Sequence, residues 1–278
     1  MINGQTSLYG IIGDPVEHSL SPAMHNAAFA ALGINGVYVP MRPQTLVEGF
    51  HGLQTLGFKG VSVTVPFKVG IMDLVDEVDP VARQIGAVNT LAFDPGSGNP
   101  SRSIGLNTDW LGANQALSEE FTLQGSSVLI VGAGGAARAV GFGLVQAGAL
   151  IMLTNRTEAK GRALASQLGC RFVPAEELAA VRADALVNTT SVGMAPNVEA
   201  MPIAPEYLLR YSVVMDIVYA PLETRLLKEA SARGCRTIDG LQMLLHQGAA
   251  QFRIWTGTEP PLKVMRSALL NELKSRAH

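Results

Sequence analysis

Two cysteines, Cys170 and Cys235, occur in 278 residues, and they form no C-x-x-C pair. That scarcity argues against a disulfide scaffold and for a reducing, cytoplasmic setting. The five histidines, His18, His25, His51, His246 and His278, show no metal-ligand spacing, so no metal is expected. No apolar stretch reaches the roughly 18 residues of a spanning helix. MINGQTSLYGIIGDP, at the N-terminus, lacks a basic segment followed by a long apolar one, so no secretory signal is expected. Charge is sparse at 16%, the formal net charge is −2, and no basic cluster exceeds two or three residues. Nucleic-acid and membrane partners are therefore not expected. Internal repeats and low-complexity segments are absent as well. What the chain has in quantity is hydrophobic residues, at 47%, enough for a sizeable core and against disorder.

The sequence is organised around residues 127–157, SVLIVGAGGAARAVGFGLVQAGALIMLTNRT. Ser127–Val131 is a short apolar, β-branched run, the pattern of a buried parallel strand. Gly132-Ala133-Gly134-Gly135-Ala136-Ala137 follows and matches G-x-G-x-x-[G/A]. Ala136–Ala147 carries apolar residues at helical spacing, Gly148 stops it, and Leu150–Leu153 starts a second strand. Strand, glycine turn, helix and strand together have the size of one βαβ unit, about 30 residues. A lone glycine motif is weak evidence, but in this setting it predicts a dinucleotide site with the phosphates on the helix N-terminus. An NAD site usually ends its second strand in a carboxylate that accepts from the ribose 2′-hydroxyl. Here the tip reads Asn155-Arg156-Thr157, with Lys160 beyond, and an arginine suits a 2′-phosphate. NADP is the expected cofactor.

Before this unit, the spacing predicts strands at Ser7–Gly13, Gly36–Met41, Gly60–Val65, Gly86–Phe93 and Ser103–Asn107. Helices are predicted over Ala23–Leu32 and Thr45–Leu56, with Ser21 as N-cap and Pro22 at the first position of the former. Asp94–Ser101, DPGSGNPS, reads as a turn-rich hairpin connection. After the unit, strands are predicted at Ala185–Asn188, Val213–Val218 and Arg236–Ile238, then helices over Leu241–Trp255 and Pro261–Ser275. A hydride carrier needs a substrate site with a group that moves a proton. Polar residues at loop positions of the first half are the candidates: Ser19, Ser21, Thr64, Lys68, Asn89 and Asp109. Asn89 falls within an apolar run, where an unpaired amide costs about 1–3 kcal/mol, so it must have a partner. Asp109 stands where a helix N-cap would, and a lone lysine such as Lys68 is ordinarily a solvated charge.

Taken in order, the short motifs resemble those of the shikimate dehydrogenase family over nearly the whole chain. They are Ser19-Leu20-Ser21-Pro22, Val63-Thr64-Val65-Pro66-Phe67-Lys68, Gly86-Ala87-Val88-Asn89-Thr90, Gly105-Leu106-Asn107-Thr108-Asp109, Gly132–Ala137, Asn155-Arg156-Thr157, Asn188-Thr189-Thr190, and Asp239-Gly240 with Gln247. The resemblance implies NADP-dependent reduction of 3-dehydroshikimate to shikimate, a step toward chorismate and the aromatic amino acids. It places Ser19, Ser21, Thr64, Asn89, Asp109, Tyr219 and Gln247 around a small hydroxylated ring carboxylate, and Lys68 and Asp109 beside the reacting oxygen. It places the cofactor at Gly132, Ala133, Gly134, Gly135, Ala136, Asn155, Arg156, Thr157, Lys160, Thr189 and Gly240. Lys160 stands where many relatives carry a second arginine. The family also contains quinate and quinate/shikimate dehydrogenases, some using NAD, and a nucleotide-binding regulator is the reading from another class.

The expected fold is α/β with two domains. Residues 1–109 form a substrate domain with a mainly parallel sheet, and 110–240 a Rossmann-like NADP-binding domain. Residues 241–278 are helices returning to the first domain. A monomer or homodimer is expected.

Overall fold

Val128 and Ile130 pack into one apolar cluster and Leu129 and Val131 into another. A strand that alternates between two cores has both faces covered, and this places Ser127–Val131 at the centre of its sheet. The computed structural model describes residues 2–93 and 102–276. It divides into two units, residues 1–108 with 247–278 and residues 109–246.

The first unit contains β1 (Ser7–Ile12), α1 (Ser21–Ala31), β2 (Gly36–Met41), α2 (Leu46–Thr55), β3 (Gly60–Val63), β4 (Glu77–Val78), α3 (Pro80–Ile85), β5 (Thr90–Phe93) and β6 (Ser103–Leu106). Its sheet has the order β2-β1-β3-β5-β6-β4. Pairing is parallel through β2-β1-β3 and between β6 and β4, and antiparallel through β3-β5-β6. The expected hairpin connection, Asp94–Ser101, lies outside the described residues. Helix α2 begins with a reciprocal cap: Glu48 N–H donates to Thr45 Oγ1 at 3.3 Å, and Thr45 Oγ1 donates to Glu48 Oε2 at 2.8 Å.

Two local expectations are corrected here. The N-cap of α1 is Leu20, without a side-chain cap bond, and Ser21 is already helical. Its N–H is met by Ser19 Oγ at 3.2 Å. Asn89 precedes β5 rather than lying inside it, because Gly86 closes α3 in a left-handed conformation (φ 73°) and pairing with β6 starts only at Thr90.

The second unit contains α4 (Asp109–Ser118), β7 (Ser127–Val131), α5 (Gly135–Gln146), β8 (Leu150–Thr154), α6 (Glu158–Leu168), β9 (Arg171–Phe172), β10 (Ala185–Asn188), β11 (Val213–Asp216), α7 (Arg225–Ala232) and β12 (Arg236–Ile238). Its sheet runs β12-β11-β10-β7-β8-β9, parallel throughout. This is the doubly wound order, whose direction reverses between β7 and β10, where such sheets receive ligands. Helix α8 (Gly240–Thr256) carries the chain back to the first unit, where α9 (Leu262–Arg276) packs on α1. The division falls inside α8, after His246, because Met243 belongs to the core of the second unit.

No helix among the described residues is long and apolar enough to cross a membrane, and none of them form a three-ligand metal group. Cys170 and Cys235 are free thiols.

Beneath α8 lies an aromatic cluster. The His25 ring stacks on Tyr38 at 4.5 Å and lies 5.3 Å from Trp255, whose Nε1 donates to the Leu91 carbonyl at 2.9 Å. His25 is wholly buried, and desolvation holds its pKa down at about 3, so the folded ring is neutral. An unfolded histidine takes its proton near pH 6.5. The unfolded state therefore binds more protons between these values, and stability is lost as pH falls from about 6.5 toward about 3. The loss attributable to His25 is on the order of 4 kcal/mol. Urea denaturation of wild type and His25→Phe across this range checks it: the wild-type curve steepens on acidification, and the variant lacks that component.

Candidate active site

The end of the second unit where a dinucleotide is expected is built from the glycine turn. Gly132 has φ 119°, and a Cβ there would stand 2.5 Å from Thr189 Oγ1. The turn after β7 and the loop after β10 therefore touch backbone to side chain, an approach only glycine permits. Thr189 is held in place by its own bonds to the Val131 carbonyl, from Oγ1 at 2.6 Å and N–H at 2.9 Å. Gly134 is the N-cap of α5 and offers no side-chain cap. The first-turn N–H groups thus point to an outside partner, and around Gly134 and Gly135 a Cβ would meet nothing within 4 Å. Open space at an uncapped helix N-terminus fits a pyrophosphate. Helix α5 begins at Gly135, one residue before the expected Ala136.

Beside this turn, β8 ends and Asn155 Nδ2 donates to the Thr157 carbonyl at 2.8 Å. Arg156 is exposed on the loop so formed, and Thr157 stands at the N-cap position of α6 without a side-chain cap bond, with exposed Lys160 in the first turn. Gly240 opens α8 against the loop after β11, where a Cβ would collide with the Ile217 and Val218 carbonyl oxygens.

In the first unit, Thr64 follows β3 and is half-buried, its N–H bonded to the Ile12 carbonyl at 2.9 Å. Half-buried Lys68 is fixed at its backbone, where its carbonyl accepts from Val88 N–H at 2.8 Å. Asn89 is 2% exposed and amply partnered. Its Oδ1 accepts from Thr108 N–H at 2.7 Å and Thr90 Oγ1 at 2.7 Å. Its Nδ2 donates to Thr108 Oγ1 at 3.0 Å and Gln247 Oε1 at 3.3 Å. Of the residues expected from the sequence, Ser19, Ser21, Thr64, Lys68, Asn89 and Gln247 belong to the first unit, with Asn89 bonded directly to Gln247. Asp109, buried at the start of α4, belongs to the second, with Tyr219 and the dinucleotide residues.

Family comparison covers most of the chain. Residues 11–91 match the shikimate dehydrogenase substrate binding domain, 113–216 the shikimate / quinate 5-dehydrogenase family, and 240–270 the shikimate 5'-dehydrogenase C-terminal domain. A shikimate dehydrogenase (NADP(+)) of Methanosarcina mazei is 45% identical over 281 residues, spanning 96% of this chain and 99% of the relative.

The chain belongs to the shikimate dehydrogenase family.

A solved shikimate dehydrogenase in complex with NADP+ superposes with a TM-score of 0.91 at 43% identity, covering 98% of each chain. The enzyme from Thermus thermophilus, in complex with NADP(H) and shikimate, gives 0.88 at 38% identity, covering 96% of this chain and all of that one (100%).

Sequence reasoning missed one polar centre in this shikimate dehydrogenase family member. Asp216, at the end of β11, is fully buried. Its Oδ1 accepts from Asn188 Nδ2 at 2.9 Å and Val218 N–H at 3.0 Å, and its Oδ2 from Thr224 Oγ1 at 2.7 Å. Asn188 Oδ1 in turn accepts from the Thr190 N–H and hydroxyl, at 3.1 and 2.7 Å. One carboxylate thereby sets the loop carrying Thr189 and the loop carrying Tyr219. In the sequence, Asp216 interrupts an apolar run and has no motif, so only its buried partners mark it. Burial pushes its pKa up to about 6, against the pull of its three donors. The native state then holds a proton that the unfolded chain releases near 3.8, so stability falls as pH rises from about 4 to about 6, by on the order of 3 kcal/mol. Thermal melts across this window are expected to lose that downward slope in Asp216→Asn.

Proposed function

We propose that this chain is an NADP-dependent oxidoreductase interconverting 3-dehydroshikimate and shikimate. The observation that carries the reading is family membership end to end, joined to a dinucleotide turn whose second strand ends in Arg156 without a carboxylate at the tip. Residues 1–108 bind the ring acid, 109–246 bind NADP, and 247–278 complete the substrate domain. The first-turn N–H groups of α5 hold the pyrophosphate, with Gly132, Ala133, Gly134, Gly135 and Ala136 giving the backbone its close approach. Asn155, Arg156, Thr157 and Lys160 hold the adenosine ribose and its 2′-phosphate, and Thr189 and Gly240 line the remaining cofactor path. Bound NADP(H) supplies or takes the hydride.

The chain's own residues manage the ring and the proton. Ser19, Ser21, Thr64, Asn89, Tyr219 and Gln247 hold the hydroxyls and carboxylate of the substrate. A small polyol acid needs such a set of hydroxyl and amide groups, and a site that pairs each hydroxyl rejects analogues lacking one. Lys68 gives a proton to the ring oxygen as ketone becomes alcohol and takes it back in the reverse direction. Asp109 accepts a hydrogen bond from the same hydroxyl. Lysine suits this work because its pKa responds to surroundings and its charge stabilises a developing alkoxide.

Assay of purified protein with shikimate and quinate, each with NADP and NAD, tests the reading. Turnover with shikimate and NADP is expected to be the fastest pair. Faster quinate oxidation would make it a quinate dehydrogenase, and no turnover with any pair would favour a regulator. Lys68→Ala is expected to lower kcat at least ~10²-fold with a modest rise in shikimate KM. A raised KM with kcat kept would instead make Lys68 a binding residue. Arg156→Ala is expected to cost about 1.5–3 kcal/mol in kcat/KM for NADP with little change for NAD. Equal effects on both cofactors would show that Arg156 does not read the 2′-phosphate.

A further inference from the structure

Ser19 stands in the segment that joins β1 to α1, and little of that segment is buried. Val16 and Leu20 are inside, Asp14, Pro15, Glu17 and His18 are exposed, and Ser19 is half-buried. Two apolar anchors do not fix the peptide planes between them, so the segment keeps one shape only through its polar bonds. Asp14 N–H donates to the Val65 carbonyl at 3.0 Å, and Ser19 N–H closes a turn on the Val16 carbonyl at 3.0 Å. Arg42, just after β2, pairs with Asp14 at 2.8 Å and Glu17 at 3.4 Å. These bonds hold the first part of the segment.

The part next to α1 is held from α9. Met265, Leu269, Glu272 and Arg276 follow one another at spacings of four, three and four, so they share one face of that helix. Met265 and Leu269 are wholly buried, and α9 packs on α1. The same face, carried onward, brings Arg276 to the residues just before α1. Its Nη1 donates to the His18 carbonyl at 2.7 Å and its Nη2 to the Ser19 carbonyl at 3.2 Å. Its Nε donates to Glu272 Oε1 at 2.9 Å, which sets the plane of the guanidinium.

All three guanidinium nitrogens are thus engaged, and two successive carbonyls are turned toward one group. A planar fork with fixed N–H directions does this, and a compact ammonium does not. Ser19 Oγ in turn accepts from Ser21 N–H at 3.2 Å, in the first turn of α1. The Ser19 side chain, the start of α1 and the last turn of α9 are therefore one bonded unit, joined across 257 and 258 positions of sequence.

We propose that Arg276 is a positioning residue for the ring site: its guanidinium fixes the peptide planes at His18 and Ser19 and thereby where the Ser19 hydroxyl stands for the substrate. The proposal rests on the functional reading above, which makes Ser19 a substrate contact. Arg276 acts through the backbone, so its loss weakens ring binding in ground state and transition state alike and leaves the hydride step alone.

The test is steady-state kinetics of full-length wild type, Arg276→Ala and Arg276→Lys with shikimate and NADP, beside thermal melts and amide hydrogen exchange of the ligand-free proteins. Arg276→Ala is expected to raise shikimate KM about fivefold, with kcat and the NADP KM within about twofold. Exchange over residues 14–24 is expected to quicken about threefold or more, and that over residues 127–146 to stay as in wild type. Arg276→Lys keeps the charge and loses the fork, so its shikimate KM is expected to remain about two- to threefold above wild type.

Four results overturn the proposal. The first is a shikimate KM within about twofold of wild type in Arg276→Ala. The second is exchange over residues 14–24 that does not change. The third is full recovery in Arg276→Lys, which would make charge alone sufficient. The fourth is a parallel rise in both KM values with a lowered melting temperature, the mark of general damage. If Arg276→Ala does not fold, Arg276→Lys decides alone, and an unchanged shikimate KM overturns the proposal. A wild type that does not turn over shikimate overturns the functional reading itself, a failure distinct from an active wild type matched by its variants.

Discussion

The hydrogen bonds of Asn89 hold together parts of the chain that are far apart in sequence. A buried amide left unpaired costs about 1–3 kcal/mol, so its position demands partners. It takes them from Thr108, the last residue before the chain leaves the first unit, and from Gln247, the first after it returns. Its backbone joins the same network, donating to the Leu106 carbonyl at 3.0 Å and accepting from Val63 N–H at 2.8 Å. One residue, through side chain and backbone together, therefore ties the points of exit and return to the ends of three strands. The aromatic cluster on α8 supports this arrangement from the apolar side, with Trp255 bonded to the Leu91 carbonyl and His25 stacked on Tyr38.

The second unit solves a different problem. Its strands are covered on both faces, so its chemistry has to stand at their ends. Gly132 lets the turn after β7 press against Thr189, and Asp216 holds the loops after β10 and β11 through Asn188 and Val218. Burial of that carboxylate is costly, and three donors offset part of the cost. Such a group is placed for geometry rather than for stability. The loops it sets carry residues assigned above to cofactor and ring.

How far the sequence reveals each part depends on how local the cause is. The β7–turn–β8 unit was legible because apolar runs, glycines and helical spacing all act within a few residues. The strand expected over Gly86–Phe93 failed at its start because pairing with β6, not propensity, decides where β5 begins. The two-residue strand β4 has no pattern to read, since it exists only as a partner of β6. Ser21 matched an N-cap signature, yet it is already helical, and Leu20 stands at the N-cap position without a side-chain bond.

By itself the sequence determined the two kinds of α/β unit, the glycine turn, and the motifs that mark the family, because each is written in neighbouring residues. It also determined that Asn89 needed partners, since an amide among apolar residues cannot stand alone. Which partners it has was decided only by the tertiary structure. Gln251 reaches Ser62 across 189 positions, Asp184 caps Ser127 across 57, and Asn188 meets Asp216 across 28. No local propensity encodes such pairs. They form because burial removes water from every polar group at once and leaves each to find the one acceptor or donor that the packed strands and helices bring within reach.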